Sequence, residues 1–166
     1  MNEWMIEMCR QACYDVEKDE YQSVCKVGTG FKDEDLSRLY ARMQNHLLPS
    51  HRRPANYNVS DVLTPDHWFE ACQVWELQAA DLSKSSVHKG GIGRLDMSGD
   101  RSMSRGIGLR FPRFLRERED KKAEAATTSE QIVEMFYGQG IIGEDGGAGG
   151  GGNNNGEDNA DDDEWL

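Results

Sequence analysis

The sequence predicts a small, mainly β domain, namely a partly open β-barrel with one inserted α-helix and one terminal α-helix. Short stretches with period-two alternation of apolar residues are separated by turns that contain Gly or Pro. One stretch with helical spacing interrupts these strands, and a second follows the last of them. A β-sandwich or an α+β roll would give a similar pattern, so both are alternatives at this level of argument.

The first elements lie between residues 20 and 49. Residues 21–27 alternate as in a half-buried strand, and the turn Gly28-Thr29-Gly30 follows, where glycine permits positive φ. The acidic residues 33–35 then favour a helix N-terminus. This pattern predicts an amphipathic helix that runs up to Pro49. Its apolar residues recur at helical spacing: Leu36, Leu39, Tyr40, Met43 and Leu47.

The middle of the chain is less regular. Residues 50–64 predict a polar loop with one weak strand. Residues 74–80 predict a strand with Trp75, Leu77 and Ala79 on one face, and residues 81–86 continue it as a polar exit. The Gly- and Ser-rich residues after this strand predict connections at 89–93 and 97–106.

Residues 106–122, GIGLRFPRFLREREDKK, combine a strand, a proline break and a cluster of cations. Ile107, Leu109 and Phe111 share one face by period-two alternation, and Pro112 ends regular pairing because it lacks an N–H donor. By this pattern alone Phe111 is a core residue. The cations suit phosphate oxygens and predict a polyanionic partner, although an ordinary solvated surface pair is the alternative at positions 116 and 118. They are Arg113, Arg116, Arg118, Lys121 and Lys122.

A terminal helix follows the cations. Thr127 and Thr128 stand three residues before Glu130 and Gln131, which is the spacing of a capping box. The next apolar side chains fall on roughly one helical face, so a short helix closes the folded part. They are Ile132, Val133, Phe136 and Tyr137.

Charge is distributed unevenly along the chain. The formal net charge is −11, but residues 143–166 hold eight of the 30 acidic residues and none of the 19 Lys and Arg, which leaves about −3 elsewhere. Residues 82–122 hold eleven Lys and Arg against five Asp and Glu, so a basic stripe lies within an acidic chain. The Gly-, Asn- and Asp-rich residues 143–166 predict a disordered, solvated spacer, with an acidic interaction arm as the alternative.

Cysteine spacing predicts no metal site. Cys9, Cys13, Cys25 and Cys72 lack the two-residue gap of a zinc knuckle, and no histidine stands at ligand spacing nearby. The first residues do not resemble a signal peptide, and no apolar run has membrane-spanning length. We therefore expect a reduced, soluble, intracellular protein.

Five segments together resemble the C-terminal oligonucleotide-binding (OB-fold) domain of eukaryotic ATP-dependent DNA ligases of the replicative, ligase I type. They are CKVGTGFKDEDL at 25–36, VLTPDHW at 62–68, VWELQAADLSKSSVHK at 74–89, GIGLRFPRFLREREDKK at 106–122 and ATTSEQI at 126–132. The resemblance runs from about residue 12 to 139 and supports the barrel interpretation. It divides the chain into an atypical N-terminal segment (1–11), an OB-fold domain (12–142) and a disordered acidic tail (143–166).

The resemblance implies the sealing of nicks in duplex DNA during replication, repair and recombination. Enzymes of this family form a lysyl-AMP from ATP, pass the AMP to the 5′-phosphate at a nick and let the 3′-hydroxyl displace it, assisted by Mg²⁺. Phe111 would be an apolar wedge that widens the minor groove. The implied site residues are Arg118, Asp120 and Lys121, which orient the pyrophosphate, and Arg110, Phe111, Arg113 and Arg116, which contact DNA.

Two features depart from the family. The chain contains neither the Lys-x-Asp-Gly sequence that carries AMP nor the Lys-x-Lys strand of the nucleotide pocket, so we expect no ligase activity from it alone. ATP and Mg²⁺ are therefore expected in the intact enzyme and not on this fragment. The expected partners are nicked duplex DNA and an adenylation domain, with no membrane. Residues 1–11 do not resemble the family's first strand, and a faulty first strand would expose a sheet edge.

Three hypotheses of function follow. The favoured one is a C-terminal fragment of a DNA ligase whose activity belongs to the intact enzyme, located in the nucleus, with an organellar copy left open. The second is a stand-alone OB-fold DNA-binding module without catalysis, whose affinity falls steeply with salt. The third is an interaction protein that uses its acidic tail.

Overall fold

The structure is a computed structural model that describes residues 10–49, 52–95 and 105–141. No helix within these ranges is long and apolar enough to cross a membrane. Short 3₁₀ turns lie at Asp61–Leu63 and Ala123–Ala125. The regular elements of the described ranges are β1 (Arg10–Asp15), β2 (Glu20–Lys26), α1 (Asp33–Gln44), β3 (Tyr57–Asn58), β4 (Trp75–Gln78), β5 (Asp81–Ser85), β6 (Gly106–Arg110), β7 (Arg113–Glu117) and α2 (Ser129–Ile141).

The strands form three hydrogen-bonded groups. β1 pairs antiparallel with β2, with an irregularity between Gln11 and Ala12, and the two-residue β3 pairs parallel with β2. β4 pairs antiparallel with β7, and β5 pairs antiparallel with β6. The pairs Gln78↔Arg113 and Asp81↔Arg110 share one register, so the last two groups are one long antiparallel ladder with a break in its middle.

Backbone hydrogen bonds join these groups into a barrel. The N–H groups of Lys89 and Gly90 donate to the carbonyl oxygen of Ser23 in β2, at 2.8 and 3.0 Å. Ile107 of β6 donates to the Gly90 carbonyl at 2.7 Å, so Gly90 connects β2 with β6. On the other side, Phe114 of β7 donates to the Thr29 carbonyl just beyond β2, at 2.8 Å. The strands thus wrap into a small OB-type barrel, as the sequence predicts.

The interior contains two apolar clusters. The ring of Phe114 stacks on Phe31 with centroids 4.5 Å apart, and Trp75 meets Phe114 edge-on at 5.3 Å. This cluster fixes α1 and β7 to the end of β2, because Leu39 and Val27 complete it. The second cluster lies where α2 packs against β1, β5 and β6 and consists of Cys13, Val24, Cys25, Leu95, Ile107 and Ile132.

The inserted helix is confirmed, although it is shorter than its apolar pattern. α1 begins where the Asp35 carboxylate accepts the backbone N–H of Lys32 at 3.2 Å, and it ends at Gln44. Leu39 is its one buried residue, and Tyr40 is exposed. Leu47 lies beyond the helix and pairs with Phe69 in an isolated bridge. The helical spacing of apolar residues therefore extends to Leu47, although the helix itself ends at Gln44.

The structure revises two further predictions. Residues 81–85 are not a polar exit but a paired strand, β5, in which Asp81 and Lys84 are exposed. The capping box of α2 belongs to Thr128 and Gln131, which exchange hydrogen bonds of 2.9 and 3.3 Å. The carbonyl of Thr127 instead accepts the N–H of Tyr14 at 3.1 Å, which ties the helix start to β1.

Candidate nucleic-acid interface

The break in the long ladder forms a corner that projects Phe111. Positions 111 and 112 face Ala79 and Ala80 in the shared register, and the Ala80 N–H donates to the Arg110 carbonyl at 3.0 Å. Phe111 has a φ of +51°, which is a left-handed conformation that is costly for a bulky residue. Its side chain is 76% exposed. The core assignment from alternation is therefore wrong, because the backbone leaves the strand conformation after Arg110.

The Gly28-Thr29-Gly30 turn contacts this corner and supports it. The Thr29 hydroxyl donates to the Pro112 carbonyl at 3.1 Å. Gly30 has a φ of +96°, and a Cβ there would lie 2.2 Å from the Phe114 carbonyl oxygen. The close approach of this turn to β7 therefore requires glycine at position 30. This agrees with the prediction of a tight turn at Gly28-Thr29-Gly30.

Two arginines flank Phe111. The Arg110 Cζ atom lies 5.4 Å from the centre of the Phe111 ring, which is the range of a cation–π contact. Arg110 also approaches Asp81 across the ladder at 3.7 Å, with both side chains about half exposed. Arg113 is exposed and has no ion pair with another described residue. The corner thus presents an aromatic ring between two accessible guanidinium groups, which suits phosphates on either side of an apolar contact.

The next two arginines have acidic partners that the sequence did not reveal. Arg116 pairs with Glu76 of β4 at 2.8 Å, and Arg118 approaches the same carboxylate at 3.7 Å. Arg118 also donates two hydrogen bonds to Asp120, of 2.8 and 2.7 Å. Hydrogen bonding from Arg118 lowers the pKa of Asp120 to about 2. These cations are therefore partly neutralised, and their carboxylate partners are solvent-accessible.

The end of β7 is held by α1 through a second network. Arg38 and Arg42 lie one helical turn apart; Arg38 donates to Glu117 at 3.0 Å, and Arg42 forms an ion pair with the same carboxylate at 3.0 Å. Both also approach Glu119, at 3.7 and 3.1 Å. The Glu117 side chain is only 3% exposed. The inserted helix therefore holds Glu117 and Glu119, the two residues that flank Arg118. The i, i+4 spacing of Arg38 and Arg42 was the sequence signal that could have predicted this role.

A buried polar network supports the opposite end of the barrel. The fully buried Asp15 accepts a hydrogen bond from Gln22 at 3.0 Å and forms a salt bridge with Arg94 at 3.0 Å. Burial raises the pKa of Asp15, but bonds from Arg94 and the Lys18 N–H outweigh it and leave this pKa below its ordinary value. Gln22 also accepts the Gly91 N–H at 2.8 Å. No sequence signal marked this network, because Asp15 and Arg94 are distant in the chain.

The structure brings the sequence-predicted site residues together in two places. Arg110, Phe111 and Arg113 share the corner, whereas Arg116 lies in β7 and Arg118 directly follows that strand. Asp120 is held there by Arg118, and Lys121 is exposed, with its N–H donating to the Arg118 carbonyl at 3.1 Å. Among the described residues no group of three or more His, Cys, Asp and Glu side chains is arranged to hold a metal ion.

Fold and surface together define a small OB-type barrel with one exposed aromatic residue set among arginines. The chain belongs to the family of the ATP-dependent DNA ligase C-terminal region, whose model matches residues 6–121. It is 48% identical over 128 residues to DNA ligase 1 of Drosophila melanogaster and 47% identical over 128 residues to DNA ligase 1 of Arabidopsis thaliana. It is also 43% identical over 129 residues to a probable DNA ligase of Persephonella marina.

The matches cover one part of much longer relatives. Each of these three alignments includes 77% of this chain. The same alignments include 16%, 15% and 20% of the respective relatives. The chain therefore spans about a sixth to a fifth of the length of the curated relatives that it matches.

Proposed function

We propose that this chain is the DNA-facing C-terminal domain of an ATP-dependent DNA ligase and that it engages the minor groove of duplex DNA at a nick. The observation that carries this proposal is the corner itself. Phe111 is held away from the core in a strained conformation, with exposed arginines on both sides. A ring held outside the core contributes little to folding, so such strain is typical of a functional contact. An apolar wedge between cations is a recurring solution for binding and distorting the minor groove.

The cations would contact the phosphates in order along the ladder. Arg113 has no ion pair with another described residue and would bind first, followed by Arg110 and Arg116 after exchange of Asp81 and Glu76 for phosphate oxygens. Each exchange replaces an exposed carboxylate by a phosphate, so its net cost is small. Release of counterions from DNA would then provide much of the binding free energy.

The end of β7 would act in a different step. In the intact enzyme we assign Arg118, Asp120 and Lys121 to orienting the pyrophosphate of ATP while the enzyme becomes adenylated. The guanidinium and ammonium groups suit a phosphate ligand, and the Asp120 carboxylate sets the orientation of Arg118. ATP and Mg²⁺ supply the phosphoryl-transfer chemistry, and an adenylation domain, which we expect to be a partner, would carry the lysine nucleophile.

Binding of the purified chain to labelled nicked duplex, measured by fluorescence anisotropy across a salt series, tests the DNA part of this proposal. We expect preference for nicked over intact duplex and an affinity that falls steeply with salt. Arg113→Ala should weaken binding and reduce the slope of log affinity against log salt by about 1. Arg53→Ala is the matched control, because this arginine is also exposed but lies in the loop before β3, paired with Asp61 at 3.3 Å.

Two results would contradict the proposal. Equal effects of the two arginine substitutions would show that binding depends on overall charge and not on the corner. A labelled protein–AMP adduct, formed on this chain alone with ATP and Mg²⁺, would contradict the assignment of the nucleophile to another domain.

A further inference from the structure

The last turn of α2 lies beside the ladder that leads to the Phe111 corner. α2 ends at Ile141, and Gln139 near its end exchanges hydrogen bonds with both the N–H and the carbonyl of Leu82 in β5. The neighbour of Leu82 is Asp81, which pairs with Arg110 across the ladder. The described end of α2 therefore lies close to the strand pair that carries Arg110.

The tail has the composition of a ligand for this corner. Residues 143–166 contain eight acidic residues and no Lys or Arg. A glycine-rich stretch, 146–152, comes first, and most of the acids lie in the last ten residues, EDNADDDEWL. The final two residues, Trp165 and Leu166, are the large apolar side chains of this segment. A Gly-rich chain of this length has a root-mean-square reach of about 25–30 Å, which is enough to cross one face of a small domain.

The corner offers complementary chemistry. Phe111 is 76% exposed and Leu115 is 48% exposed, which leaves two large apolar side chains in solvent on the same ladder. Arg110, Arg113 and Arg116 are exposed around them. Carboxylates pair with arginine in the same geometry as phosphates do, and an indole ring packs well against another aromatic ring.

We propose that the acidic end of the tail, residues 157–166, docks on the Phe111 corner of its own chain and competes there with DNA. This inference rests on the proposed function only in its use of that corner as the DNA-binding surface. Attachment within one chain gives the tail an effective concentration on the order of millimolar, so even weak docking reduces the apparent DNA affinity. The competition is electrostatic and therefore fades as salt screens the exposed charges.

The experiment compares the native full-length chain with three variants. In the first variant all eight acidic residues of the tail are changed to Asn or Gln, and in the second only Trp165→Ala and Leu166→Ala are changed. Their matched control replaces the glycines at 146, 147 and 149–152 by serine and keeps the charge. Anisotropy with nicked duplex reports affinity at low and high salt, and amide chemical shifts of the DNA-free chains report where the tail lies.

Docking predicts roughly tenfold tighter DNA binding by the neutralised chain at low salt, converging with the native chain at high salt. The Trp165→Ala, Leu166→Ala chain should bind several-fold tighter with no change of charge, and both variants should shift the amides of Arg110, Phe111 and Arg113. Unchanged affinity in either variant overturns the proposal. Tighter binding by the neutralised chain alone would indicate general repulsion between the tail and DNA, and shifts confined to α1 or β3 would place the tail elsewhere.

The amide shifts separate this inference from the proposed function. If no chain binds DNA while the corner amides still respond to the tail variants, the proposed function fails and the docking stands. If all chains bind nicked DNA equally, the docking fails and the proposed function stands.

Discussion

Replacement of Phe111 by alanine should weaken binding to nicked DNA while barely changing stability. Phenylalanine can bury about 150–250 Å² of surface. The ring is 76% exposed, so about 150 Å² is free for a ligand. Complete burial of that area against DNA would contribute about 4 kcal/mol at 25 cal/mol per Å². Unstacking a base step costs a few kcal/mol, which leaves a net loss of about 1–2 kcal/mol and a 5–30-fold weaker affinity in Phe111→Ala.

The effect on stability should be small for the same geometric reason. The quarter of the ring that is covered amounts to about 50 Å², or about 1 kcal/mol. Phe111→Gly should remove the same DNA contact and also relieve the left-handed φ of +51°, which costs other residues about 1–2 kcal/mol. Its free energy of unfolding should therefore be close to that of the native chain.

Urea unfolding and anisotropy with nicked duplex, carried out on the same preparations, test these values. Phe114→Ala provides the contrast, because its ring is 1% exposed and stacked on Phe31, and its loss should cost about 3–5 kcal/mol. Val62→Ala, at a 77% exposed position in the turn Asp61–Leu63 and outside the corner, controls for loss of exposed apolar surface. A drop of more than about 3 kcal/mol in Phe111→Ala, with DNA affinity retained, would refute the assignment of this ring to the interface.

Three further predictions concern the supporting structure. Glu76→Gln should tighten DNA binding and steepen the salt slope by about 1, because it frees Arg116; an unchanged slope would argue against a phosphate contact there. Gly30→Ala should lower the free energy of unfolding by roughly 2 kcal/mol or more, because the added Cβ would meet the backbone of β7. Gly93→Ala is the control: its φ is +81°, but an added Cβ would meet nothing within 4 Å, so urea unfolding should show a loss of only about 1 kcal/mol. Asp15→Asn should cost about 1.5–3 kcal/mol at neutral pH. The folded pKa of Asp15 is lowered, so the stabilisation by this carboxylate is present above the ordinary carboxyl pKa of about 4 and is lost as pH falls through the folded pKa. The difference in free energy of unfolding between the native and Asp15→Asn chains should therefore shrink as pH falls from about 4. A difference that stays constant with pH would contradict this prediction.

Local sequence signals located the helices and the turns. α1 and α2 follow from acids or a capping box at the start and apolar residues at helical spacing, all of which act within about four residues. The turn at Gly30 follows equally, because positive φ is a property of one residue. The basic stripe and the grouping of arginines near Phe111 were also visible in the sequence.

Pairing between distant residues lay beyond such signals. The sequence pattern predicts a polar exit where β5 lies, because the partner strand of β5, β6, follows only after a long connection. Glu76 stands 40 residues before Arg116, and Asp15 stands 79 residues before Arg94, so neither ion pair has a local pattern. The arrangement of charge on the surface therefore depends on strand register.

The position of Phe111 shows most clearly what the sequence determines and what the tertiary structure decides. The sequence by itself determined that an aromatic residue stands between two arginines and before a proline. Period-two alternation placed its ring in the core, since a strand that continued would have turned it inward. Pro112 also predicted that regular pairing ends there, but only the tertiary structure decided that the ring of Phe111 turns outward, at the corner where the backbone of Ala80 and the turn at Thr29 meet the ladder. Those contacts are nonlocal, and they turn a residue with a core pattern into an exposed one.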